Sequence, residues 1–251
     1  MHHYQQMIKN ILRLFIPKFI LNFRINKVEK KRHFLYKNLS MGDIFSNIYS
    51  NKEWGKGNDE FFSGSGTYNV NISKPYIEAV KKIIESSTGK QVLVDIGSGD
   101  FSIGRNFIHI VDYYYACDVV FDLQNYNRKK FNYDNVEFVC IDATKDDIPN
   151  GDILILRQVL QHLSNKDIKK IINKCYNFDK WIVSEHIPSN KKFIPNRDIS
   201  TGCGIRVLFG SGVVLTEPPF NVACYKVSTL VESYENNGVI RTTLFEKDKS
   251  K

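Results

Sequence analysis

The run Val94-Asp95-Ile96-Gly97-Ser98-Gly99-Asp100-Phe101-Ser102 constrains this chain more than any other stretch of its 251 residues. A short apolar segment, residues 91–96, ends in an acid and passes into two glycines, Gly97 and Gly99. Glycine there lets the backbone reverse sharply and lets a ligand approach the carboxyl end of a strand without meeting a side chain. The pattern predicts a strand, a tight turn and then a helix beginning near Ile103.

Four more short apolar runs follow, at residues 113–118, 136–142, 152–156 and 181–185. Between the last two, Ile168, Ile171, Ile172 and Cys175 recur at helical spacing within 167–176. Short buried-type strands alternating with helices predict an α/β fold, a doubly wound, mostly parallel Rossmann-like sheet covered on both faces. Residues 223–230 and 239–245, around Asn236-Asn237-Gly238, predict a C-terminal antiparallel β-hairpin. Upstream, Ile77, Val80, Ile83 and Ile84 form the stripe of a helix from Lys74, with Pro75 in its first turn. Residues 41–72 are rich in Gly, Ser and Asn and read as a loop, although Trp54, Phe61 and Phe62 are more than a linker needs.

The net charge of +8 is unevenly placed. Residues 1–40 carry nine Lys and Arg against Glu29 alone, and the remaining 211 residues carry 26 charges of each sign. Within the first forty, Ile8, Ile11, Leu12, Phe15, Phe19 and Phe23 recur every three or four positions. They predict a basic, amphipathic N-terminal helical extension, kinked or split at Pro17. Such a helix either packs on protein or lies on an anionic membrane surface. The division expected is therefore an extension over 1–40 and a domain over 41–251. No run is long and apolar enough to span a bilayer, and no secretory cleavage site is visible. The five cysteines are widely spaced and contain no C-x-x-C, which argues against a disulfide framework or a metal site and fits a cytoplasmic location, peripheral to the inner membrane face if the extension docks there. Cys117 and Cys140 sit in apolar runs and read as small buried hydrophobes. A charge-balanced domain offers no general basic face for nucleic acid.

A second acid, Asp118, closes the next strand 21 residues after Gly97, where nucleoside-binding folds place an acceptor for ribose hydroxyls. A dinucleotide turn requires a third glycine where Ser102 stands, and Asp100 would crowd a pyrophosphate. A sulfonium nucleoside carries no phosphate, so acids around it are tolerated.

D-I-G-S-G-D with Asp118, Asp142 and the run D-I-L-I-L-R-Q-V-L-Q-H-L-S resembles the class I S-adenosyl-L-methionine-dependent methyltransferases. With W-G-K-G, S-G-S-G and T-E-P-P-F-N it is similar to a subgroup found in bacterial capsule and surface-polysaccharide gene clusters, over roughly residues 50–245. The departure is Phe101, where the family often has a third glycine. The resemblance implies that Gly97, Ser98 and Gly99 lie against S-adenosyl-L-methionine, with Asp95 ordering the turn and Asp118 on the ribose. It implies further that Asp142 and Ala143 meet the adenine, that Arg157 and Gln158 flank the methionyl end, and that residues 63–67 close over the cofactor. Each acid has a competing assignment as a turn or N-cap residue, Asp142 and Asp152 most of all.

Transfer to a hydroxyl needs a general base. His162, one turn past the fourth strand, and His186, directly after the fifth, stand at the carboxyl edge of the sheet. The competing roles are helix packing for His162 and a plain loop position for His186. His2, His3, His33 and His109 fall away from that edge and read as surface residues. In the long connector 187–221, Asn196, Arg197, Asp198 and Arg206 offer polar groups to an acceptor. The expected activity is O-methylation of a small molecule, a sugar or phosphorylated precursor of capsular polysaccharide, with no nucleic-acid partner. The alternatives are an RNA or protein methyltransferase, or a non-catalytic cofactor-binding scaffold. No amino-methylating N/D-P-P-Y/F tetrad follows the fourth strand, where Leu156-Arg157-Gln158-Val159 stands.

Overall fold

The structure is a computed structural model and describes residues 18–89, 91–190, 192–223, 225–235 and 238–247. The chain falls into two units, Met1–Asn38 and Leu39–Lys251. In the first, helix α1 spans Lys18–Tyr36 and exposes Val28, Phe34 and Leu35 among its basic residues. Ile8, Ile11, Leu12, Phe15, Pro17, His2 and His3 lie outside the described residues.

The second unit is built on a seven-stranded sheet in the order β3-β2-β1-β4-β5-β7-β6. The strands are β1 (Val92–Ile96), β2 (Tyr113–Asp118), β3 (Val136–Cys140), β4 (Ile153–Arg157), β5 (Lys180–Pro188), β6 (Tyr225–Glu235) and β7 (Gly238–Lys247). β1 to β5 run parallel. β7 pairs antiparallel with β5 from Lys180↔Glu246 to Pro188↔Gly238, and β6 pairs antiparallel with β7, with a register shift between Thr229 and Val231. This is the doubly wound sheet with a C-terminal hairpin expected from the apolar runs. The chain leaves β1 towards β2 and β3, then returns to place β4 on the other side of β1. A crevice opens at the carboxyl ends of strands where the order reverses in this way, and that is where ligands bind in such sheets.

The helices of this unit are α2 (Met41–Ser50), α3 (Ser65–Tyr68), α4 (Val70–Glu85), α5 (Phe121–Lys130) and α6 (Asn165–Cys175). α4 packs against β6 and α5 against β2 and β3. One core cluster joins Tyr76, Val80 and Ile84 of α4 to Leu93, Tyr114, Phe138, Ile153 and Ile182 of the sheet.

Four local expectations are corrected. Residues 41–50 are helical rather than loop. Ser40 and Asp43 form a reciprocal capping box that starts α2, and Ile44, Phe45 and Ile48 bury its inner face. α4 begins at Val70, capped by the Asn69 side chain, so Pro75 lies inside the helix and removes one backbone donor there. After the glycine turn there is no α-helix at Ile103, only a short 3-10 turn, Gly104–Asn106. The Asn106 side chain donates to the carbonyls of Ser102 and Ile103, taking acceptors that a continuing helix would use. Cys117 is buried as expected, but Cys140 is exposed because β3 is an edge strand.

Candidate functional site

The carboxyl ends of β1 to β4 deliver the acids and the glycine turn to one cavity. Gly97 and Gly99 have φ of 75° and 57°, values that glycine adopts at little cost. Their lack of a side chain matters for a neighbour. A Cβ on Gly97 would collide with the Val159 side chain, and one on Gly99 would come 2.5 Å from Ser63 Oγ. Phe101, also at a left-handed φ of 60°, compensates by burying its ring completely against Tyr114, Phe131 and Phe138.

Asp95 lies beneath the turn, where Tyr114 Oη donates to its Oδ2 at 2.8 Å. Burial pushes its pKa up to about 7, against the pull of that hydroxyl and of Arg157. Asp118 accepts the Gly99 N–H on Oδ2 at 3.1 Å and the Val120 N–H on Oδ1 at 3.0 Å. Each carboxylate oxygen has two lone pairs, so both keep one for a further donor. Burial raises the Asp118 pKa, while the backbone donors oppose the rise. Asp142 forms a turn with Thr144, accepting its N–H at 3.0 Å and its hydroxyl at 2.6 Å, and Ala143 is buried beside it. Its turn role and its place on the cavity wall are both real.

Residues 63–68 form a strap along this cavity. Ser63 and Asp100 bond reciprocally, and Tyr68 Oη donates to Asp100 Oδ2 at 2.8 Å. Arg157 donates through Nη2 to the Gly66 carbonyl at 2.7 Å and stacks its guanidinium 4.9 Å from the centre of the Tyr76 ring. Ser65 Oγ donates to Glu235 Oε1 at 2.9 Å, tying the strap to the hairpin. Gln158, at φ 57°, packs its amide against Gly66.

The fourth strand ends in a 3-10 turn, Leu160–His162. His162 Nδ1 is 3.3 Å from the Gly204 carbonyl and Nε2 is 3.3 Å from Gln161 Nε2. A carbonyl only accepts and an amide nitrogen only donates, so the ring carries its proton on Nδ1 and presents Nε2 as acceptor. The ring lies 5.1 Å from that of Trp54. His186 lies within β5 rather than after it, because the strand runs on to Pro188 to pair with β7; its ring is buried, with Nε2 donating to the Glu235 carbonyl at 3.0 Å. Burial lowers its pKa. Beside it Glu185 accepts the N–H groups of Leu160 and Gln161, and burial pushes its pKa up to about 8.

The cavity holds about 450 Å³ and is lined by every expected site residue: Asp95, Gly97, Ser98, Gly99, Asp118, Asp142, Ala143, Arg157, Gln158, His162 and His186. Sequence reasoning missed Met41, Phe45, Tyr49, Cys203, Ile205, Leu208 and Glu235 on the same wall. Buried polar atoms without a protein partner gather here, namely Trp54 Nε1, Tyr76 Oη, Ser98 Oγ and Arg157 Nε. Among the described residues six carboxylates line the cavity (Glu53, Asp95, Asp100, Asp118, Asp142 and Glu235) against one guanidinium, Arg157. That acceptor-rich lining suits a cationic nucleoside and repels phosphates. Among the described residues no cluster of metal-ligating side chains is present, and no helix is long and apolar enough to cross a membrane.

The polar residues of the long connector do not face the cavity. Asn196 is buried and donates to the carbonyls of Val214, Glu217 and Pro218. Arg197 stacks on Phe209, and Asp198 accepts the Asn165 N–H at the start of α6. Arg206 is wholly buried. These groups are occupied in holding an irregular segment together, as buried polar atoms must be. His33 and His109 are exposed.

The O-methyltransferase domain family matches residues 29–180, more than half of the chain. The chain belongs to that family. A myricetin 3'/5'-O-methyltransferase of Solanum habrochaites is 26% identical to it over 167 residues, 62% of this chain and 45% of the relative. An indole glucosinolate O-methyltransferase of Arabidopsis thaliana is 29% identical over 131 residues, 49% of this chain and 34% of the relative. The chain thus spans less than half the length of these curated relatives. In fold it is similar to magnesium protoporphyrin IX methyltransferase from Synechocystis PCC 6803 with bound SAH, with TM-score 0.53, 16% identity and coverage of 88% of this chain and 100% of that one. It is also similar to human N-acetylserotonin methyltransferase in complex with SAM, with TM-score 0.52, 11% identity and coverage of 86% and 62%. At these identities the likeness to the solved structures is one of fold.

Proposed function

We propose that this member of the O-methyltransferase family is an S-adenosyl-L-methionine-dependent methyltransferase acting on a hydroxyl of a small, uncharged acceptor. The observation that carries the reading is the acidic cavity at the switch point, with Asp118 and Asp142 at successive strand ends and a single buried guanidinium. Asp118 would hold the ribose through its remaining lone pairs, Asp142 the adenine amine between Ile141 and Ala143, and Arg157 the methionyl carboxylate. The orphaned Ser98 Oγ and Arg157 Nε are polar atoms that a cofactor here could satisfy. The cofactor supplies a methyl group activated on a sulfonium.

The chain's own contribution is alignment, exclusion of water and removal of a proton. His162 is the proposed base: Nε2 is its acceptor nitrogen, whose lone pair would exchange the Gln161 amide for the acceptor hydroxyl, and its ring stands beside Trp54. His186 has its Nε2 proton engaged by the Glu235 carbonyl and serves as wall. Met41, Phe45, Trp54, Leu163, Ile205 and Leu208 form an apolar surface around the acceptor end, which fits one face of a ring. A phenol such as those named in the relatives and a neutral sugar of a capsular precursor both meet that description. The carboxylates weigh against a phosphorylated acceptor, and with the balanced charge of residues 41–251 they weigh against RNA.

Calorimetry with S-adenosyl-L-methionine, followed by turnover on a panel including myricetin, N-acetylserotonin and free and phosphorylated sugars, tests the reading. Binding with turnover on a neutral acceptor, lowered about 100-fold in His162→Ala at unchanged cofactor affinity, is the expected result. No cofactor binding would overturn it, and binding without turnover on any acceptor would favour a scaffold. For residues 1–40 the proposal is peripheral contact with an anionic membrane, supported by exposed Val28, Phe34 and Leu35 among Lys27, Lys30, Lys31 and Arg32. Salt-sensitive sedimentation with anionic liposomes is expected, and indifference to them would refute it.

A further inference from the structure

We propose that Arg206 is a positioning residue that fixes the orientation and tautomer of His162, and so couples the acceptor wall to the base. The inference rests on the reading of His162 as that base. Arg206 has no solvent exposure, and its charge acts on the buried Glu185 carboxyl, holding that pKa down against burial. Its five N–H groups are directed at the turn that carries His162 and at the flanking chain. Nη1 donates to the carbonyls of Leu160 and Gln161 at 3.0 and 3.2 Å, and Nη2 to the carbonyl of Leu163 at 2.6 Å and to Asn165 Oδ1 at 2.9 Å. Nε donates to the Arg197 carbonyl at 2.8 Å.

The turn is thus held from two sides. Glu185 accepts from the N–H groups of Leu160 and Gln161, and Arg206 donates to their carbonyls. The segment leading into Arg206 completes the grip. The Gly202 N–H donates to the His162 carbonyl at 2.9 Å, and the Gly204 carbonyl faces His162 Nδ1 at 3.3 Å. Which ring nitrogen keeps the proton is set by that carbonyl, since a carbonyl can only accept. The neighbours Cys203, Ile205 and Leu208 line the cavity. One short stretch therefore shapes the acceptor end and aims the base. A flexible lysine cannot replace it, because a single ammonium has neither the planar fork nor the reach to meet carbonyls on four residues.

The test reads the histidine ring directly and needs no acceptor. Full-length protein labelled with 15N-histidine is compared with Arg206→Lys and Arg206→Gln by long-range 1H–15N spectra, with His162 assigned from His162→Gln. Fold is checked by circular dichroism, and S-adenosyl-L-methionine affinity by calorimetry. The wild type is expected to show His162 as a single Nδ1–H tautomer, and each Arg206 variant a mixture, with cofactor affinity within about twofold. The result that overturns the proposal is a wild-type His162 protonated on Nε2, a measurement that stands even if both variants fail to fold. A folded Arg206→Lys protein with an unchanged His162 ring overturns it equally. Failure of the wild type to bind S-adenosyl-L-methionine would instead count against the methyltransferase reading, while the tautomer spectra still decide the role of Arg206.

Discussion

Ser63 and Asp100 exchange two hydrogen bonds across 37 positions of sequence: the Ser63 N–H donates to Asp100 Oδ2 at 3.0 Å, and the Asp100 N–H donates to Ser63 Oγ at 2.9 Å. This pair fastens the strap to the glycine turn, with Tyr68 as a third tie. Asp100→Ala removes two of the three bonds, both to a charged group worth about 1.5–3 kcal/mol. Cofactor affinity should therefore fall about tenfold or more, and the amides of residues 63–68 should exchange faster in hydrogen-exchange mass spectrometry. Unchanged exchange in that segment would show that the strap is held by other contacts.

Asp118 has two tasks that separate by substitution. Asp118→Asn keeps a carbonyl acceptor for one of the two backbone N–H groups, sets its NH2 against the other and loses the charge, so it should weaken cofactor binding while lowering the thermal midpoint less than Asp118→Ala does. Asp118→Ala abandons the Gly99 and Val120 N–H groups as well, and should lower both affinity and stability by about 1–3 kcal/mol. Equal effects of the two substitutions on stability, read by urea titration, would contradict this division.

Phe101 occupies a backbone conformation that disfavours its side chain, and three aromatic rings hold it there. Phe101→Ala should cost about 3–5 kcal/mol, the range for emptying a buried aromatic site. Phe101→Gly relieves the left-handed strain but loses the same ring, so it should be no more than about 1 kcal/mol better than Ala. A glycine variant as stable as wild type would show that the ring contributes nothing.

The sheet was legible because strand ends, acids and glycines follow one geometric rule, and Gly97, Asp118, Asp142 and His162 fall on it. What escaped lies where tertiary contacts override composition. The helix Met41–Ser50 hides in a Gly- and Ser-rich stretch, although Ser40 with Asp43 and the stripe Ile44, Phe45, Ile48 were readable as its signal. Gly104 is pressed between the Phe101 ring and Tyr114 Oη, a packing that no local pattern announces and that leaves only a 3-10 turn. Arg206 and Asn196 read as polar groups offered to an acceptor because burial of a polar side chain becomes visible only with its partners.

His186 makes acid stability testable. Its pKa is lowered by burial, so the folded protein prefers the neutral ring. The contribution is complete above the unfolded value of about 6.5 and is lost as pH falls from there through the folded pKa. Asp95 and Glu185, with raised pKa values, run the opposite way, so the readout must be a difference between proteins. The stability of wild type minus that of His186→Gln should shrink as pH falls below about 6.5. A difference that is flat with pH would mean that the ring charges as readily in the folded chain as outside it.

The hairpin has a further consequence for how the molecule behaves in crowded solution. Among the described residues β6 ends the sheet with no strand beyond it, the arrangement that invites a foreign strand to join. Here the ladder slips by one residue between Thr229 and Val231, and Lys226 and Glu232 stand exposed on either side. A bulge twists the edge away from straight pairing, and a charge at each half discourages an approaching chain. The side of the sheet that carries β6 can therefore flank a cavity without seeding aggregates, even with Tyr234 79% exposed near its end.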